Sequence, residues 1–390
     1  MLHKSKINTF YNWMTNNKFI KQNLIAIGAL LALTVAILIA SRFEVCAEWM
    51  TRHIYFEWAR GINYISSVIP YFSFEVEAFI VVAIIVSLLI YMIVQFVHKN
   101  KRVGWTIFTS IILIVMIIAF SYCLIVTPIY NRSVLDIKEE EELISNDEVI
   151  SIANKYYDDF NYVASLQQIN DDGITICPYS DQELEEIIKE EYKRLTSDYF
   201  AQIDVEPKRV VSSYLMSANS IAGITYMPNV EPAYNTQMLS LDKVLTIAHE
   251  IAHTQGVMRE ADANEVAYYI LLTSNNNYLR YVGYLETMVY INRACILANS
   301  PKSKLDIPEC AIKDRLAIQE FWQEKAVLAK AGDAINDLYL KMNSQEGTVS
   351  YYSYEVYEKE TIIDEDGNEV IIYKVSSYSH VQNMIFAIYK

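Results

Sequence analysis

The stretch AFIVVAIIVSLLIYMIVQFV, residues 78–97, is the part of the sequence that decides the fold. It contains twenty consecutive residues and no charged side chain. An α-helix needs roughly 17–25 apolar residues to cross the hydrocarbon core of a bilayer. Buried helices of soluble proteins seldom lack charges over such a length, so the stretch predicts a membrane-spanning helix.

Two further stretches have the same character. Residues 24–40 are seventeen residues with Thr34 as the only polar side chain, and residues 105–127 are twenty-three residues without a charge. A cleaved signal peptide would explain only the first stretch, and no small-residue cleavage site follows it. The sequence therefore predicts an α-helical N-terminal part that crosses the membrane three times.

The basic residues of the short loops indicate the orientation of these spans, because loops rich in Lys and Arg stay in the cytoplasm. We expect a multi-pass protein of the cell membrane with a cytoplasmic tail (residues 1–22), a membrane domain (23–132) and an extracytoplasmic domain (133–390). Within the membrane domain, residues 41–77 are predicted to form an amphipathic helix on the outer membrane surface. The basic residues of the tail and of the second loop are Lys4, Lys6, Lys18, Lys21, Lys99, Lys101 and Arg102.

Net charge is divided between the same two parts. Residues 1–132 hold 11 Lys and Arg against 5 Asp and Glu, a net charge of +6, and residues 133–390 hold 21 against 42, a net charge of −21. The two values sum to the −15 of the whole chain. The second part begins with an acidic run at 139–142 and repels phosphate backbones, so we expect no nucleic-acid partner.

The extracytoplasmic domain is predicted to be mostly α-helical with a short sheet, an α+β arrangement. Ser180 and Glu183 form a capping-box pattern ahead of an apolar face with helical spacing. Residues 220–227 are rich in β-favouring side chains and end at Pro228, which predicts a strand. Further helices are predicted at 241–255, at 266–272 and within 311–339, and a hairpin is predicted from strands at 354–363 and 370–375 around the turn 364–368.

The pattern His249-Glu250-Ile251-Ala252-His253 lies in the predicted helix at 241–255. Two histidines at i and i+4 project from one face of a helix, so their Nε2 atoms can occupy two corners of a zinc tetrahedron. Glu250 is rotated around the helix, where it can reach a water molecule at the metal without binding the metal itself. The pattern predicts a zinc site with Glu250 as general base. A histidine pair satisfied within a protein core is the alternative.

A third protein ligand is expected after this helix, because a catalytic zinc ion has three protein ligands and an open position for water. Gly256 can end the helix and turn the chain, after which Glu260 opens a second helix. Glu260 is the preferred third ligand, Asp262 is the alternative and Glu265 is a more remote one. Glu260 and Asp262 also fit an ordinary first helical turn, where acids stabilise the helix dipole. Asn264 can hydrogen-bond a ligand histidine from outside the metal site.

The runs HEIAH (249–253) and GVMREADAN (256–264) resemble the HExxH…ExxA(D/N) arrangement of gluzincin peptidases. More closely, the chain resembles an uncharacterised bacterial membrane family, domain of unknown function 3810. The resemblance implies a bacterial membrane protein with a zincin-like domain and a metal site, but it implies no substrate. It extends over nearly the whole chain in segments: SVIPYFSFEVE (67–77), PKRVVSSYLMS (207–217), AGITYMP (222–228), RYVGYLE (280–286), LYLKMNSQEGTVSYYSYEV (338–356) and SYSHVQNMIFAIY (377–389).

The last of these segments contains two candidate hydrogen-bond donors, Tyr378 and His380. Either side chain can stabilise the oxyanion that forms in the transition state of peptide hydrolysis. A packed aromatic ring and a surface histidine are the simpler interpretation, since any one of the 30 tyrosines in the chain is a weak candidate.

These features predict a membrane-anchored zinc metalloendopeptidase with one zinc ion per chain. Its substrate would be an exported or membrane-proximal protein or peptide, because the site lies well beyond the last span. Two other classes of protein remain as alternatives: a membrane sensor that binds zinc without catalysis, and a cell-envelope scaffold with a tyrosine-rich outer domain. Cys295 and Cys310 are near enough in sequence for a disulfide outside the cytoplasm.

Overall fold

The computed structural model describes residues 17–135, 144–298, 307–328, 357–363, 369–375 and 380–390. The chain divides into two compact units. The membrane unit comprises Met1–Ser133 together with Tyr226–Asn229, and the C-terminal unit comprises Val134–Thr225 and Val230–Lys390. The acidic run predicted at 139–142 lies outside the described residues.

Most of the described part of the membrane unit is helical. Its helices are α1 (Lys18–Ala40), α2 (Glu44–Met50), α3 (Phe56–Ser66), α4 (Ser73–Val97), α5 (Lys101–Ile125) and α6 (Thr127–Tyr130). Helices α1 and α4, and the stretch Lys101–Tyr130 that includes α5, are long and apolar enough to cross a membrane. The most apolar window of α4 has no buried residue, as expected of a helix whose side chains face lipid. The three predicted spans are therefore confirmed as helices.

Hydrogen bonds between polar side chains join two of the membrane helices. Helix α5 packs against both α1 and α4. The side-chain amide of Asn23 on α1 donates to the hydroxyls of Thr109 and Ser110 on α5, at 3.0 Å each. Such hydrogen bonds between helices satisfy polar side chains that lipid cannot satisfy.

The predicted amphipathic helix at 41–77 is found as two helices, α2 and α3, joined by a π-helical turn at Thr51–Tyr55. The carboxylate of Glu48 on α2 accepts two hydrogen bonds from Arg132, 2.8 Å from Nε and 2.9 Å from Nη2. This paired geometry fits the planar guanidinium group and fixes α2 against the end of the membrane unit.

The segment Tyr226–Asn229 belongs to the membrane unit because its side chains are bonded there. The hydroxyl of Tyr226 donates to a carboxylate oxygen of Glu77 at 3.0 Å, and the amide of Asn229 donates to the hydroxyl of Ser73 at 2.6 Å. Both acceptors lie in the first turns of α4, so this segment is held at the start of that helix.

Helices also make up most of the C-terminal unit. Helices α7 and α8 begin with capping boxes, Ser145 with Glu148 and Ser180 with Glu183, which satisfy the first free backbone N–H groups. The elements are α7 (Asn146–Ser165), α8 (Asp181–Tyr192), β1 (Lys208–Val210), α9 (Ser213–Ala218), β2 (Gly223–Tyr226), β3 (Glu231–Asn235), α10 (Ser240–Thr254), α11 (Glu260–Leu272), α12 (Asn277–Leu297), α13 (Glu309–Lys325), β4 (Tyr357–Ile363), β5 (Glu369–Val375) and α14 (His380–Tyr389). The predicted mostly helical domain with a short sheet is confirmed.

The core of the C-terminal unit is built on consecutive helix pairs. Helix α11 packs against α10 and α12, and α7 and α14 pack against each other and against α12. Phe160 on α7 is fully buried, and its ring lies 5.8 Å from that of Tyr281 and 5.4 Å from that of Tyr284. Aromatic contacts of this kind add to the free energy gained from burying apolar area.

The sheet that flanks the site has the strand order β1-β3-β2, with β1 parallel to β3 and β2 at an edge. The strand predicted at 220–227 is shorter in the structure, because the chain is still closing helix α9 at its first residues. Ser220 has a φ of 58°, and the N–H of Ile221 donates to the carbonyl of Met216 at 2.9 Å. The extended backbone therefore begins only at Gly223.

The remaining predicted elements are found with small shifts. The helix predicted at 241–255 is α10, and the one predicted at 266–272 forms the later part of α11. Strands β4 and β5 pair in antiparallel register, but the turn at 364–368 lies outside the described residues. Helix α13 covers the first half of the range 311–339, which is described only as far as residue 328.

The disulfide considered for Cys295 and Cys310 is not formed in the structure. Neither cysteine is in a disulfide, and Cys295 is buried on α12. Cys310 instead accepts a weak hydrogen bond from the hydroxyl of Tyr281, 3.5 Å from Sγ. Proximity in sequence did not bring the two sulfur atoms together, because the cysteines lie on different helices with their own partners.

Candidate metal centre

Helix α10 carries the two histidines and is buried on nearly every side. Its apolar residues recur at helical spacing, and Leu241, Val244, Ala248 and Ile251 are each at most 2% exposed. Polar side chains on such a helix have to be satisfied by the protein, because water reaches few of them. Their partners come from the turn after the helix, from α11 and from β2.

A tight turn brings the start of α11 back to the histidine face of α10. Gly256 has a φ of 89°, a left-handed conformation that side chains other than glycine rarely adopt. The N–H of Gly256 donates to the carbonyl of His253 at 3.0 Å. The chain then reverses, and Glu260 is the first residue of α11.

The turn brings together three potential metal ligands, His249, His253 and Glu260, which we call the ligand group. Nε2 of His249 lies 3.1 Å from one carboxylate oxygen of Glu260, and Nε2 of His253 lies 3.8 Å from the other. The three ligand atoms all lie within 4.8 Å of one another. Distances of this size leave room for one ion between the three side chains, because metal–ligand bonds of about 2 Å require donors that converge in this way.

Hydrogen bonds from outside the group hold both imidazole rings. Nδ1 of His249 donates to Oδ1 of Asn264 at 2.9 Å, and Nδ1 of His253 donates to the carbonyl of Val257 at 2.8 Å. Carbonyl oxygens only accept, so each Nδ1 carries a proton and each Nε2 is directed at Glu260. This is the arrangement that metal-binding histidines use to fix their ring orientation.

The three side chains perturb the pKa values of one another. Partial burial opposes ionisation of Glu260, but the hydrogen bond and charge of the histidines lower its pKa to about 2. Burial disfavours a charged His249, but Glu260 and Glu250 raise its pKa to about 9. Burial, followed by the charge of His249, lowers the pKa of His253 to about 4. An anionic carboxylate therefore lies beside one cationic and one neutral imidazole.

Comparison with known families places the chain in one of them. The sequence model of the family described as "Protein of unknown function (DUF3810)" matches residues 51–356. The chain belongs to this family. The match begins in the membrane unit and extends past α13, so it includes both histidines and Glu260. No curated protein and no solved structure matches the chain.

In this DUF3810 protein, Glu250 lies beside the ligand group and not within it. Its side chain is buried, and its Oε2 accepts a hydrogen bond from the hydroxyl of Thr225 on β2 at 2.6 Å. Burial raises the pKa of Glu250 to about 7, although the charge of His249 and the hydrogen bond from Thr225 both oppose this. A carboxylate with such a pKa can exchange a proton near neutral pH.

Among the described residues, the other two predicted acidic ligands, Asp262 and Glu265, lie outside the ligand group. Oδ2 of Asp262 is 2.7 Å from Nη2 and 2.8 Å from Nε of Arg259, so this carboxylate is already paired. Glu265 is buried one turn further along α11. The geometry thus brings Glu260, rather than Asp262 or Glu265, to the histidines.

The two predicted oxyanion donors do not join the group in the described part of the chain. Tyr378 lies outside the described residues. His380 is exposed at the start of α14. Helix α14, which begins with His380, packs against α11, and burial raises the pKa of Asp262 while Arg259 and, more weakly, His380 oppose this. The structure therefore associates His380 with the Asp262 side of α11.

Two residues of the site, Gly223 and Thr225, were not among the predicted ones. Both lie on β2, where Thr225 donates a hydrogen bond to Glu250 and Gly223 leaves no space for a Cβ atom beside it. The strand itself was predicted, and its alternation puts residues 223 and 225 on one face. The sequence contained no signal that this face would meet the carboxylate, because the contact joins segments that are 25 residues apart.

Proposed function

We propose that this protein is a membrane-anchored zinc metallopeptidase that hydrolyses peptide bonds. The observation that carries the proposal is the ligand group of His249, His253 and Glu260, in which both imidazoles are oriented by hydrogen bonds at Nδ1. A carboxylate that belongs to no ligand set, Glu250, lies next to this group with a pKa near neutrality.

The donor set fits zinc. Imidazole nitrogen and carboxylate oxygen are both common zinc ligands, and two histidines with one glutamate are the three-ligand set of catalytic sites with an open position for water. Structural zinc sites use four protein ligands and are rich in cysteine, whereas the group here contains none. We therefore propose one zinc ion per chain.

The chemistry follows from the position of Glu250. Zinc held by the three ligands would supply a Lewis acid for the peptide carbonyl and for water. Glu250 would accept a proton from the attacking water and deliver it to the amine that leaves. Burial raises the pKa of this carboxyl, and a carboxylate with a raised pKa is a better proton acceptor for the first of these transfers.

The substrate class follows from the proposed topology. The basic residues of the tail and of the loop at 99–102 support a cytoplasmic N-terminus and a C-terminal unit outside the cytoplasm. The substrates would then be exported or membrane-proximal proteins or peptides. A zinc-binding sensor or a scaffold would have no use for a buried base beside its ligands, and Glu250 thus favours the peptidase.

The metal-binding part of the proposal is tested by zinc analysis of the purified full-length protein. We expect about one zinc per chain, lost in His249→Ala and His253→Ala and weakened in Glu260→Gln, because an anionic ligand disappears. Asp262→Asn is the matched control, since its carboxylate lies on the same helix but pairs with Arg259. Undiminished zinc in both histidine variants would contradict the proposal. Zinc lost from Asp262→Asn but kept by Glu260→Gln would move the third ligand to Asp262.

The catalytic part of the proposal is tested by separating turnover from metal binding. Glu250→Gln keeps the size of the side chain and removes the base. We expect this variant to retain zinc while cleavage of a quenched-fluorescence peptide library falls by about 10²–10⁴-fold. A Glu250→Gln variant that cleaves as fast as the unmodified protein would exclude Glu250 as the base.

A further inference from the structure

The carboxylate of Glu250 is held from the strand side. Oγ1 of Thr225 lies 2.6 Å from Oε2 of Glu250 and 3.0 Å from the backbone carbonyl of the same residue. A hydroxyl that donates to a carboxylate forms one of the stronger hydrogen bonds available to a neutral side chain. Because Thr is branched at Cβ, its rotamer is restricted, and the donor is held in place before any substrate arrives.

The same strand comes unusually close to Glu250 two residues earlier. A Cβ atom added to Gly223 would lie 2.5 Å from Oε1 of Glu250, 2.7 Å from its Cγ and 2.6 Å from Cγ2 of Thr246. These distances are far below van der Waals contact. Gly223 is therefore needed here for the space it leaves, and any side chain would push the carboxylate away.

We infer that Thr225 and Gly223 are positioning residues that fix the orientation of the Glu250 carboxylate, the one by a hydrogen bond and the other by close approach. Residues 223 and 225 share a face of β2, so the strand bonds one carboxylate oxygen of Glu250 and leaves no space for a side chain at the other. The inference rests on the proposed function, because it assigns a role to the base of that site. A base displaced by about 1 Å can lose a large part of its effect, which explains why both sides of the carboxylate are fixed.

The decisive comparison is between Thr225→Val and Thr225→Ser. Valine has nearly the shape of threonine but no hydroxyl, and serine keeps the hydroxyl. We expect Thr225→Val to lower kcat by about 10- to 100-fold with KM and zinc content unchanged, as for the loss of one hydrogen bond to a charged group. We expect Thr225→Ser to restore most of this loss. A packing role alone would give the opposite order, since serine removes the methyl group that valine retains.

Gly223→Ala tests the close approach. We expect kcat to fall by about 100-fold or more while zinc content is kept, because the added methyl displaces the base and leaves the metal ligands in place. Gly61→Ala and Thr273→Val are the matched controls and should leave kcat unchanged. Gly61 has open space around its Cβ position, and Thr273 donates its hydroxyl to the carbonyl of Tyr269 away from the site.

A binding readout separates this inference from the proposed function. Acetohydroxamate chelates zinc through two oxygen atoms and can donate a proton to a neighbouring carboxylate. Calorimetry on the zinc-loaded proteins should show about 10-fold weaker binding of acetohydroxamate to Thr225→Val, to Gly223→Ala and to Glu250→Gln than to the unmodified protein or the two controls. This pattern without any peptide cleavage would support the positioning roles and overturn the peptidase. Unmodified kcat and acetohydroxamate affinity in Thr225→Val, or Thr225→Ser no better than Thr225→Val, would overturn the inference.

Discussion

The apolar side chains of the two units have different surroundings. In the membrane unit the most apolar window of α4 has no buried residue, whereas in the C-terminal unit α10 is buried on nearly every side. Apolar area leaves water in both cases, but lipid receives it in one and neighbouring helices receive it in the other. Apolar content alone therefore does not separate a membrane span from a core helix, and the uninterrupted length without charge does.

The polar side chains of the two units also have different partners. In α1 and α5, Asn23 bonds hydroxyls of the neighbouring helix, and no titratable group takes part in that contact. In α10 and α11, histidines and carboxylates lie together in a partly buried group whose members shift the pKa values of one another. Charged groups can be retained away from water only where partners are built around them. This is why the candidate chemistry lies in the C-terminal unit.

The largest effect expected from this contrast is on topology, which is all-or-none. We predict that a reporter fused after Arg102 reports the cytoplasm and that a reporter fused after Ser145 reports the exterior, because the basic residues at 99–102 hold their loop inside. Fluorescence of a cytoplasmic reporter and activity of an exported one would measure this. Replacement of Lys99, Lys101 and Arg102 by Gln is the control and should weaken the preference. A cytoplasmic signal after Ser145 would reverse the orientation and replace the proposed substrate class.

Most of the fold could be predicted because it depends on local patterns. The charge-free lengths gave the spans, and the capping box at Ser180 gave the start of α8. The strand predicted at 220–227 was too long because β propensity does not describe how a preceding helix closes. That closure depends on the φ of Ser220 and on the hydrogen bond from Ile221, which tertiary context sets.

The candidate site likewise has one part that local patterns predict and one part that they do not. The histidines, Glu250 and Glu260 lie within twelve residues of one another, so helical spacing and one glycine turn suffice to predict them as a group. Gly223 and Thr225 come from a distant strand, and helical spacing does not show that the carboxylate of Asp262 is paired with Arg259. Local sequence patterns do not predict such contacts, because the contacts join segments that are distant in the sequence.

The next largest effect concerns burial by protein against exposure to lipid. Phe160 in the C-terminal unit is fully buried, whereas Phe79 on α4 is 75% exposed. We predict that Phe160→Ala lowers the free energy of unfolding by about 3–5 kcal/mol, through lost apolar contact and the cavity left behind. Phe79→Ala should leave it nearly unchanged, because its ring faces lipid before and after unfolding of the C-terminal unit. Thermal unfolding of the detergent-solubilised chain, followed by near-ultraviolet circular dichroism, measures both, and equal losses would contradict the contrast.

The smallest predicted effect compares two equally exposed isoleucines, one expected to face lipid and the other water. Ile84, at the centre of α4, and Ile312, on α13, are each 48% exposed. Arginine at the centre of a membrane span costs about 2.5–3.5 kcal/mol for insertion. At a water-exposed helix position the same change stays within about 0.5 kcal/mol, because the charge remains hydrated. We therefore predict that Ile84→Arg reduces the fraction of chains with α4 integrated, measured by protease protection in membrane vesicles, and that Ile312→Arg leaves both this fraction and the thermal midpoint unchanged. If Ile84→Arg integrates as well as the unmodified chain, the exposed face of α4 meets water or protein and not lipid, and α4 is not a span.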